Sequence, residues 1–168
     1  MKTLYSEQDV QGTDYKKLME YAVKTSDAFM LVYFSFGRRR KYSSTVKQIK
    51  KALKPYRIKE RYDTQWPSTT SMDIDNTYVI EVYRSNVETL DILCEPRSLF
   101  SWLNPTFPED IAFFHRNRCW FLTCAHEHFL RVFLRSQEDE EIVRPLLAKC
   151  EEETVRSSAD LYCEEYDV

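Results

Sequence analysis

Residues 28–36 have the sequence AFMLVYFSF, an almost unbroken run of apolar and aromatic side chains. A run this short and this rich in β-forming residues is typical of a strand buried on both faces, and it predicts a strand at the centre of a sheet. The preceding segment, residues 14–26, carries Leu18, Tyr21 and Ala22 at the spacing of one helical face. This spacing predicts a helix that packs against the sheet.

The chain after the predicted central strand continues with a helix and a second strand. Thr45 and Gln48 have the spacing of a capping box, and Pro55 lies where the helix that they begin should end. In residues 57–62 every second side chain is basic, which is the period of a strand with one solvated face. We therefore expect this strand near an edge of the sheet.

The remaining segments complete an α+β pattern. Strands are predicted at residues 77–83, 111–115, 119–125 and 129–134, and helices at residues 85–94 and from Ser136 onward. The order of elements predicts a single domain over residues 1–156, with a mixed, mostly antiparallel sheet of about five or six strands and helices packed against it. Residues 157–168 are predicted to form an acidic, mobile C-terminal tail.

Charge is segregated along the chain although the net charge is only −3. Eleven basic residues and one acid lie between Gly37 and Arg61, whereas eleven acids and three basic residues lie between Gln137 and Val168. Concentrated charge of one sign favours oppositely charged partners and faster association. The sequence leaves open whether the two segments neutralise each other. The predicted partner-binding residues are Arg38, Arg39, Arg40, Lys41, Lys47, Lys50, Lys51, Lys54, Arg57, Lys59 and Arg61.

The loop from Gly37 to Ser44 is the sharpest candidate within this basic segment. It leaves the predicted central strand and enters a helix N-terminus, a position at which sheets hold ligands and helices attract anions. Its three arginines suit bidentate contacts with phosphate or carboxylate. The alternative is a solvated basic turn held near the acidic C-terminal segment.

Composition excludes several classes of protein. With only two glycines the chain lacks the glycine-rich turns of Walker-type NTPases, Rossmann dehydrogenases, protein kinases and α/β-hydrolases. Five cysteines, an odd number in a chain with a large apolar fraction, predict reduced thiols. Residues 1–11 contain no apolar run that could serve as a signal peptide, and no stretch reaches the roughly 18 apolar residues of a membrane span, so we expect a cytoplasmic protein that does not bind membranes.

Cysteines and histidines provide two candidates for chemistry. Cys119, Cys124, His126 and His128 are the residue types that bind metals, but a strand would turn Cys119 away from the other three, and zinc needs convergent ligands. Cys124 with His126 or with His115 has the composition of a nucleophile and its base, without a local signature. Buried strand cysteines and turn histidines explain both patterns, so we predict no metal site, no cofactor and no catalytic residue.

Glu109 and Asp110 form a third candidate, a pair of adjacent carboxylates that follows Pro108. Two carboxylates can act as general acid and base. Adjacent acids before an apolar strand are more typical of a turn that begins the strand, and this is the interpretation that we adopt.

Four short motifs resemble a group of small uncharacterised proteins of Gram-positive bacteria, some of which are labelled as sporulation proteins. The motifs are WPST at residues 66–69, LFSW at 99–102, PEDI at 108–111 and WFLTCAHE at 120–127. The resemblance covers little more than a third of the chain, and the group usually has glycine at the position of Ser68. It implies that Trp66, Trp102, Trp120 and the turn at residues 126–127 belong to one structural unit, and it implies no activity.

These observations predict a non-catalytic intracellular interaction protein of the immunity, inhibitor or adaptor type. We expect it to bind a macromolecular partner, most readily another protein, through its segregated charged surfaces. The first alternative is a nucleic-acid-binding protein that uses the basic segment 38–61, with Tyr42, Tyr56 and Tyr62 available for stacking. The negative net charge of the chain counts against it. The second alternative is an unrecognised small enzyme.

Overall fold

The structure is a computed structural model that describes residues 1–35, 42–67, 69–72, 77–157 and 160–167. Its strands are β1 (Lys2–Ser6), β2 (Ala28–Ser35), β3 (Arg57–Asp63), β4 (Gln65–Trp66), β5 (Thr69–Thr70), β6 (Thr77–Arg84), β7 (Glu109–His115), β8 (Arg118–Cys124), β9 (Phe129–Phe133) and β10 (Glu151–Thr154). Its α-helices are α1 (Gly12–Thr25), α2 (Ser44–Leu53), α3 (Leu90–Leu93) and α4 (Gln137–Val143). Short 3-10 helices occupy Lys54–Tyr56, Val87–Thr89, Leu99–Ser101 and Arg144–Leu146.

Eight strands form one antiparallel sheet in the order β10-β1-β9-β8-β7-β2-β6-β3, while β4 and β5 form a separate hairpin. The α+β class and the mostly antiparallel sheet are therefore confirmed, and β3 lies at an edge as predicted. The predicted number of five or six strands is wrong. The two unpredicted strands of the sheet, β1 and β10, pair with each other at the opposite edge. The sequence does not predict β10, because its three consecutive glutamates show no apolar pattern. An edge strand can form through hydrogen bonds to one neighbour without apolar side chains.

The long apolar run forms β2, which lies between β6 and β7 and is buried on both faces. Phe29 and Leu31 belong to the apolar cluster on the helical side of the sheet, which includes side chains of all four α-helices. Met30 and Val32 belong to the cluster on the other side. Burial on both faces accounts for the absence of polar alternation in this strand.

The C-terminal segment covers the side of the sheet that carries no α-helix. Tyr162 and Tyr166 pack against the apolar cluster there. Cys119 N–H donates to the Tyr162 carbonyl at 2.9 Å, and Asn117 N–H donates to the Tyr166 hydroxyl at 3.2 Å. Residues 160–167 therefore lie against the sheet through two tyrosines, while the mobility of the C-terminal tail stays a prediction.

Two of the α-helices, α2 and α4, begin at a serine whose side chain caps the helix, as expected for polar N-cap residues. α2 is capped by Ser43, whose hydroxyl accepts the Val46 N–H at 3.1 Å, so the predicted capping box at Thr45 is wrong by two residues. The Ser136 hydroxyl accepts the Asp139 N–H at 3.2 Å and begins α4 as predicted. None of the described helices is long and apolar enough to cross a membrane.

Candidate functional site

The predicted partner-binding residues divide into three groups. Four lie outside the described residues: Arg38, Arg39, Arg40 and Lys41. Four form ion pairs with carboxylates of the same chain: Lys50, Arg57, Lys59 and Arg61. The other three are exposed on α2 or at its C-cap and form no ion pair with any described residue: Lys47, Lys51 and Lys54.

Glu81 in β6 holds two of the predicted cations. Its side chain is only 1% exposed, and it accepts hydrogen bonds from Lys50, from Arg57 at 2.9 Å and from the Tyr83 hydroxyl. Burial alone would raise the pKa of Glu81, but the hydrogen bonds from Lys50 and Tyr83 hold it below its usual range. Lys50 and Arg57 therefore attach α2 and the start of β3 to the interior of the sheet.

Glu164 brings the acidic C-terminal segment into contact with the basic segment. Its buried carboxylate lies 2.8 Å from Lys59 Nζ and accepts hydrogen bonds from Arg61 Nε and Nη2. The acidic C-terminal segment thus neutralises two cations of the edge strand β3. The expected single, free basic surface is corrected accordingly, because four of its seven described members already have carboxylate partners.

A cavity of about 500 Å³ lies where β2 ends and β7 begins. Three aromatic residues, Phe34, Trp66 and Tyr78, line it together with Glu109 and His126. The ring centroid of Tyr78 is 5.0 Å from that of Phe34 and 4.9 Å from that of Trp66. We call this cavity, defined by these five residues, the aromatic-acidic pocket.

Glu109 is the buried acid of the pocket, with only 3% of its surface exposed. One carboxylate oxygen accepts the Asn104 N–H at 2.9 Å, and the other lies 3.2 Å from His126 Nδ1. Burial raises the pKa of Glu109, and the neighbouring Asp110 raises it further, whereas the Asn104 N–H and His126 oppose the shift.

Asp110 connects three separate segments beneath the pocket. It is as buried as Glu109, and its two oxygens accept the Ala125 N–H at 2.7 Å and the Trp66 indole N–H at 2.8 Å. Its φ of 49° is in the left-handed region, which costs an ordinary residue about 1 kcal/mol. The prediction that Glu109 and Asp110 form a turn before the strand is therefore wrong, since they are the first two residues of β7 and both are buried.

The structure brings Cys124 and His126 to the same place. The buried Cys124 Sγ lies 3.7 Å from Nδ1 and 3.8 Å from Nε2 of His126, and 3.6 Å from Thr69 Oγ1. Burial raises the pKa of the Cys124 thiol to about 11, so the thiol is protonated at neutral pH. One potential ligand atom from each of Asp110, Cys124 and His126 lies within 4.8 Å of the other two.

The other candidate cysteine and histidines are held elsewhere. Cys119 is buried, and its Sγ lies 3.3 Å from the Phe121 carbonyl oxygen. His128 stacks on Phe100 with the ring centroids 5.6 Å apart. His115 lies 3.4 Å from an oxygen of Asp27. Of the candidate metal and nucleophile residues, only Cys124 and His126 therefore lie close together. Glu109 and Asp110 lie beside them.

Three of the four motifs that carry the sequence resemblance meet at this pocket. Trp66 and Thr69 come from the first, Glu109 and Asp110 from the third, and the turn at residues 126–127 from the fourth. The resemblance itself stays a prediction. No protein-family model, no curated protein and no solved structure matches the chain. The function is therefore argued from the geometry of the site.

Glu81→Gln should lower the free energy of unfolding by about 2 kcal/mol at pH 7, because it leaves Lys50 and Arg57 without their carboxylate. The folded-state pKa of Glu81 is depressed. Its stabilisation is therefore complete above the ordinary carboxyl pKa of about 4.3 and is lost as the pH falls below that value through the folded-state pKa.

Urea denaturation of wild type and variant across this pH range checks the prediction. Glu88→Gln, at an exposed acid, is the control and should stay within about 0.5 kcal/mol of wild type. A difference for Glu81→Gln that does not shrink on acidification would contradict the assignment.

Asp110→Ala should destabilise the protein by about 3 kcal/mol, because two buried N–H groups lose their acceptor and alanine is strained at this φ. Asp110→Asn should cost less, since asparagine keeps one acceptor oxygen and tolerates the left-handed region. Urea denaturation gives the order, with the exposed Asp91→Ala as control. Equal losses for Asp110→Ala and Asp91→Ala would show that Asp110 does not connect these segments.

Proposed function

We propose that the protein is a non-catalytic interaction protein, of the immunity, inhibitor or adaptor type inside the cell, that binds another protein. The aromatic-acidic pocket would take a basic side chain of that partner. The observation that carries the proposal is the buried carboxylate of Glu109 inside a cavity of about 500 Å³ with three aromatic walls. A pocket of this volume falls within the range of protein ligand sites.

The charges around the pocket favour a cation. Glu109 and Glu127 line it and Asp110 lies beneath it, whereas His126 is the one basic residue among the described residues that line it. Aromatic ring faces attract ammonium and guanidinium groups, and a carboxylate can bind a guanidinium through two hydrogen bonds. An acidic side chain in the same place would meet like charge at close range.

A basic side chain in such a pocket would act as an anchor of the interface. Binding energy in protein complexes concentrates in a few buried residues, among which arginine is common. Charge complementarity, which raises the association rate and the specificity of a complex, would then involve the acids of β10 and the exposed lysines of α2 and its C-cap, Lys47, Lys51 and Lys54.

The nucleic-acid alternative has less support than the sequence suggested. Phosphate binding through the segment 38–61 would use the cations that Glu81 and Glu164 already hold. Among the described residues of that segment, three exposed lysines on one helix remain. Lysine-bearing solvated helix faces are common in proteins that bind no nucleic acid.

A thiol-dependent enzyme is the second candidate. Cys124 lies beside His126, and His126 lies beside Glu109, as a nucleophile, its base and the residue that orients the base would lie. Two observations oppose it. The thiol pKa of about 11 leaves almost no thiolate at neutral pH, and the Cys124 side chain is buried.

The pocket should bind N-acetyl-arginine amide and N-acetyl-lysine amide with dissociation constants near about 1 mM, and should not bind the uncharged N-acetyl-norleucine amide at that concentration. Titration followed by NMR, in the presence of a metal chelator, should shift the Trp66 indole and Glu109 amide signals. Glu127→Gln and Tyr78→Leu should weaken binding about threefold or more.

The control for this experiment is the triple variant Lys47→Glu, Lys51→Glu and Lys54→Glu, which should leave binding of the amides unchanged. Equal binding of the norleucine and lysine amides would rule out recognition of charge. A mobility shift with DNA or RNA at low salt that the triple variant abolishes would favour the nucleic-acid alternative instead.

Alkylation with iodoacetamide at pH 7 separates the second candidate from the first. We expect the exposed Cys163 to react first and Cys124 to react at least tenfold more slowly, because Cys124 is buried and protonated. Mass spectrometry of peptides gives both rates. Faster reaction at Cys124 than at Cys163, lost in His126→Ala, would establish an activated thiol and would favour the enzyme.

A further inference from the structure

We infer that Asp110, Cys124 and His126 form a binding site for one Zn²⁺ ion beside the aromatic-acidic pocket, and that Glu109 orients His126 without binding the ion. The inference does not depend on the proposed function, because it concerns the residues beneath the pocket rather than the group that enters it. It also reverses the sequence-based prediction that the chain has no metal site.

Strand pairing brings the three ligand residues together. β7 and β8 are antiparallel, with Ala112 opposite Leu122, and continuation of this register places Asp110 opposite Cys124. His126 follows Cys124 by two residues, in the turn that leads to β9. The third ligand is therefore an acid from the neighbouring strand. From sequence spacing alone, the further candidates were Cys119 and His128.

The distances between the candidate ligand atoms suit a tetrahedral zinc ion. Zinc lies about 2.3 Å from a cysteine sulfur and about 2.0 Å from a histidine nitrogen, so two such ligands of one ion are about 3.5 Å apart. Cys124 Sγ is 3.8 Å from His126 Nε2, and the oxygen of Asp110 completes a group within 4.8 Å.

The surrounding hydrogen bonds are those of a supported metal site. Glu109 lies 3.2 Å from His126 Nδ1, and a hydrogen bond there leaves Nε2 as the ligating nitrogen. Asp110 accepts N–H groups from Trp66 and Ala125, which orient the carboxylate. Carboxylate–histidine–zinc chains of this kind tune both orientation and affinity.

The chemistry of the donor set favours zinc over magnesium or calcium. One sulfur, one nitrogen and one oxygen suit a borderline metal, whereas magnesium and calcium prefer oxygen alone. On binding, the Zn–S bond forms as the Cys124 S–H bond breaks, and the proton leaves to solvent, so affinity should rise with pH. With three protein ligands, the fourth position is left for water or for a group of a bound partner. The His126 side chain is 40% exposed, which gives the ion a route in.

The test begins with the full-length chain after treatment with a chelator, followed by one equivalent of Zn²⁺ and native mass spectrometry. We expect one zinc ion per chain and a rise in melting temperature of about 5 °C at saturating zinc. Cobalt in place of zinc should give a thiolate charge-transfer band and the intense visible bands of a tetrahedral site.

The variants assign the ligands. Cys124→Ser and His126→Ala should abolish zinc binding and the cobalt spectrum, and Glu109→Gln should weaken binding by about 10-fold to 100-fold. Cys94→Ser and His128→Ala are the matched controls and should bind as wild type does. His126 is exposed, so His126→Ala tests the site even if Cys124→Ser does not fold.

Three results would overturn the inference: no zinc bound by wild type, unchanged binding by His126→Ala, or loss of binding in Cys94→Ser or His128→Ala. Because the amide titrations of the pocket contain a chelator, absence of zinc leaves the proposed function standing. Absence of amide binding in turn leaves the zinc site standing.

Discussion

β2 is buried on both faces of the sheet, and two different kinds of layer cover it. The α-helices cover one face, while the Trp66 hairpin and the C-terminal segment cover the other. Both covering layers are required, because an apolar strand of this length loses its stabilisation wherever a face meets water. The pocket lies where β2 ends, and Phe34, Tyr78 and Glu109 line it.

The same constraint explains why charges that are separated along the sequence meet in space. To cover the second face, residues 160–167 must run past β3, the strand that carries Lys59 and Arg61. Glu164 is then buried among them, and a carboxylate buried in this way needs cationic partners. Part of the charge segregation in the sequence therefore belongs to folding, and among the described basic residues of segment 38–61 the remaining part consists of the exposed lysines of α2 and its C-cap.

Elements with a strong local pattern could be predicted from the sequence, whereas contacts between elements could not. The apolar run of β2, the periodicity of α1 and the meander of β7, β8 and β9 each depend on neighbouring residues. β10 has no such pattern, because its place is determined by hydrogen bonds to β1. The site was missed for a related reason. Cys124 and His126 were recognised as candidates, but Asp110 faces them only through the register of two strands and a left-handed φ, neither of which is visible in spacing.

Burying two adjacent carboxylates raises the free energy of the folded state. This penalty explains which ligands the site is suited to bind. Glu109 and Asp110 are shielded from water. Glu109 lies beside the half-exposed His126 and accepts the Asn104 N–H, and Asp110 accepts the N–H groups of Trp66 and Ala125. Hydrogen bonds to neutral donors stabilise a buried carboxylate less than a full positive charge does. A basic side chain in the pocket or a metal ion beneath it would supply that charge, and either one would stabilise the folded chain in proportion to its affinity. Through the two buried acids, the binding of a cation would thus stabilise the folded chain, whereas a neutral or anionic ligand would supply no such charge.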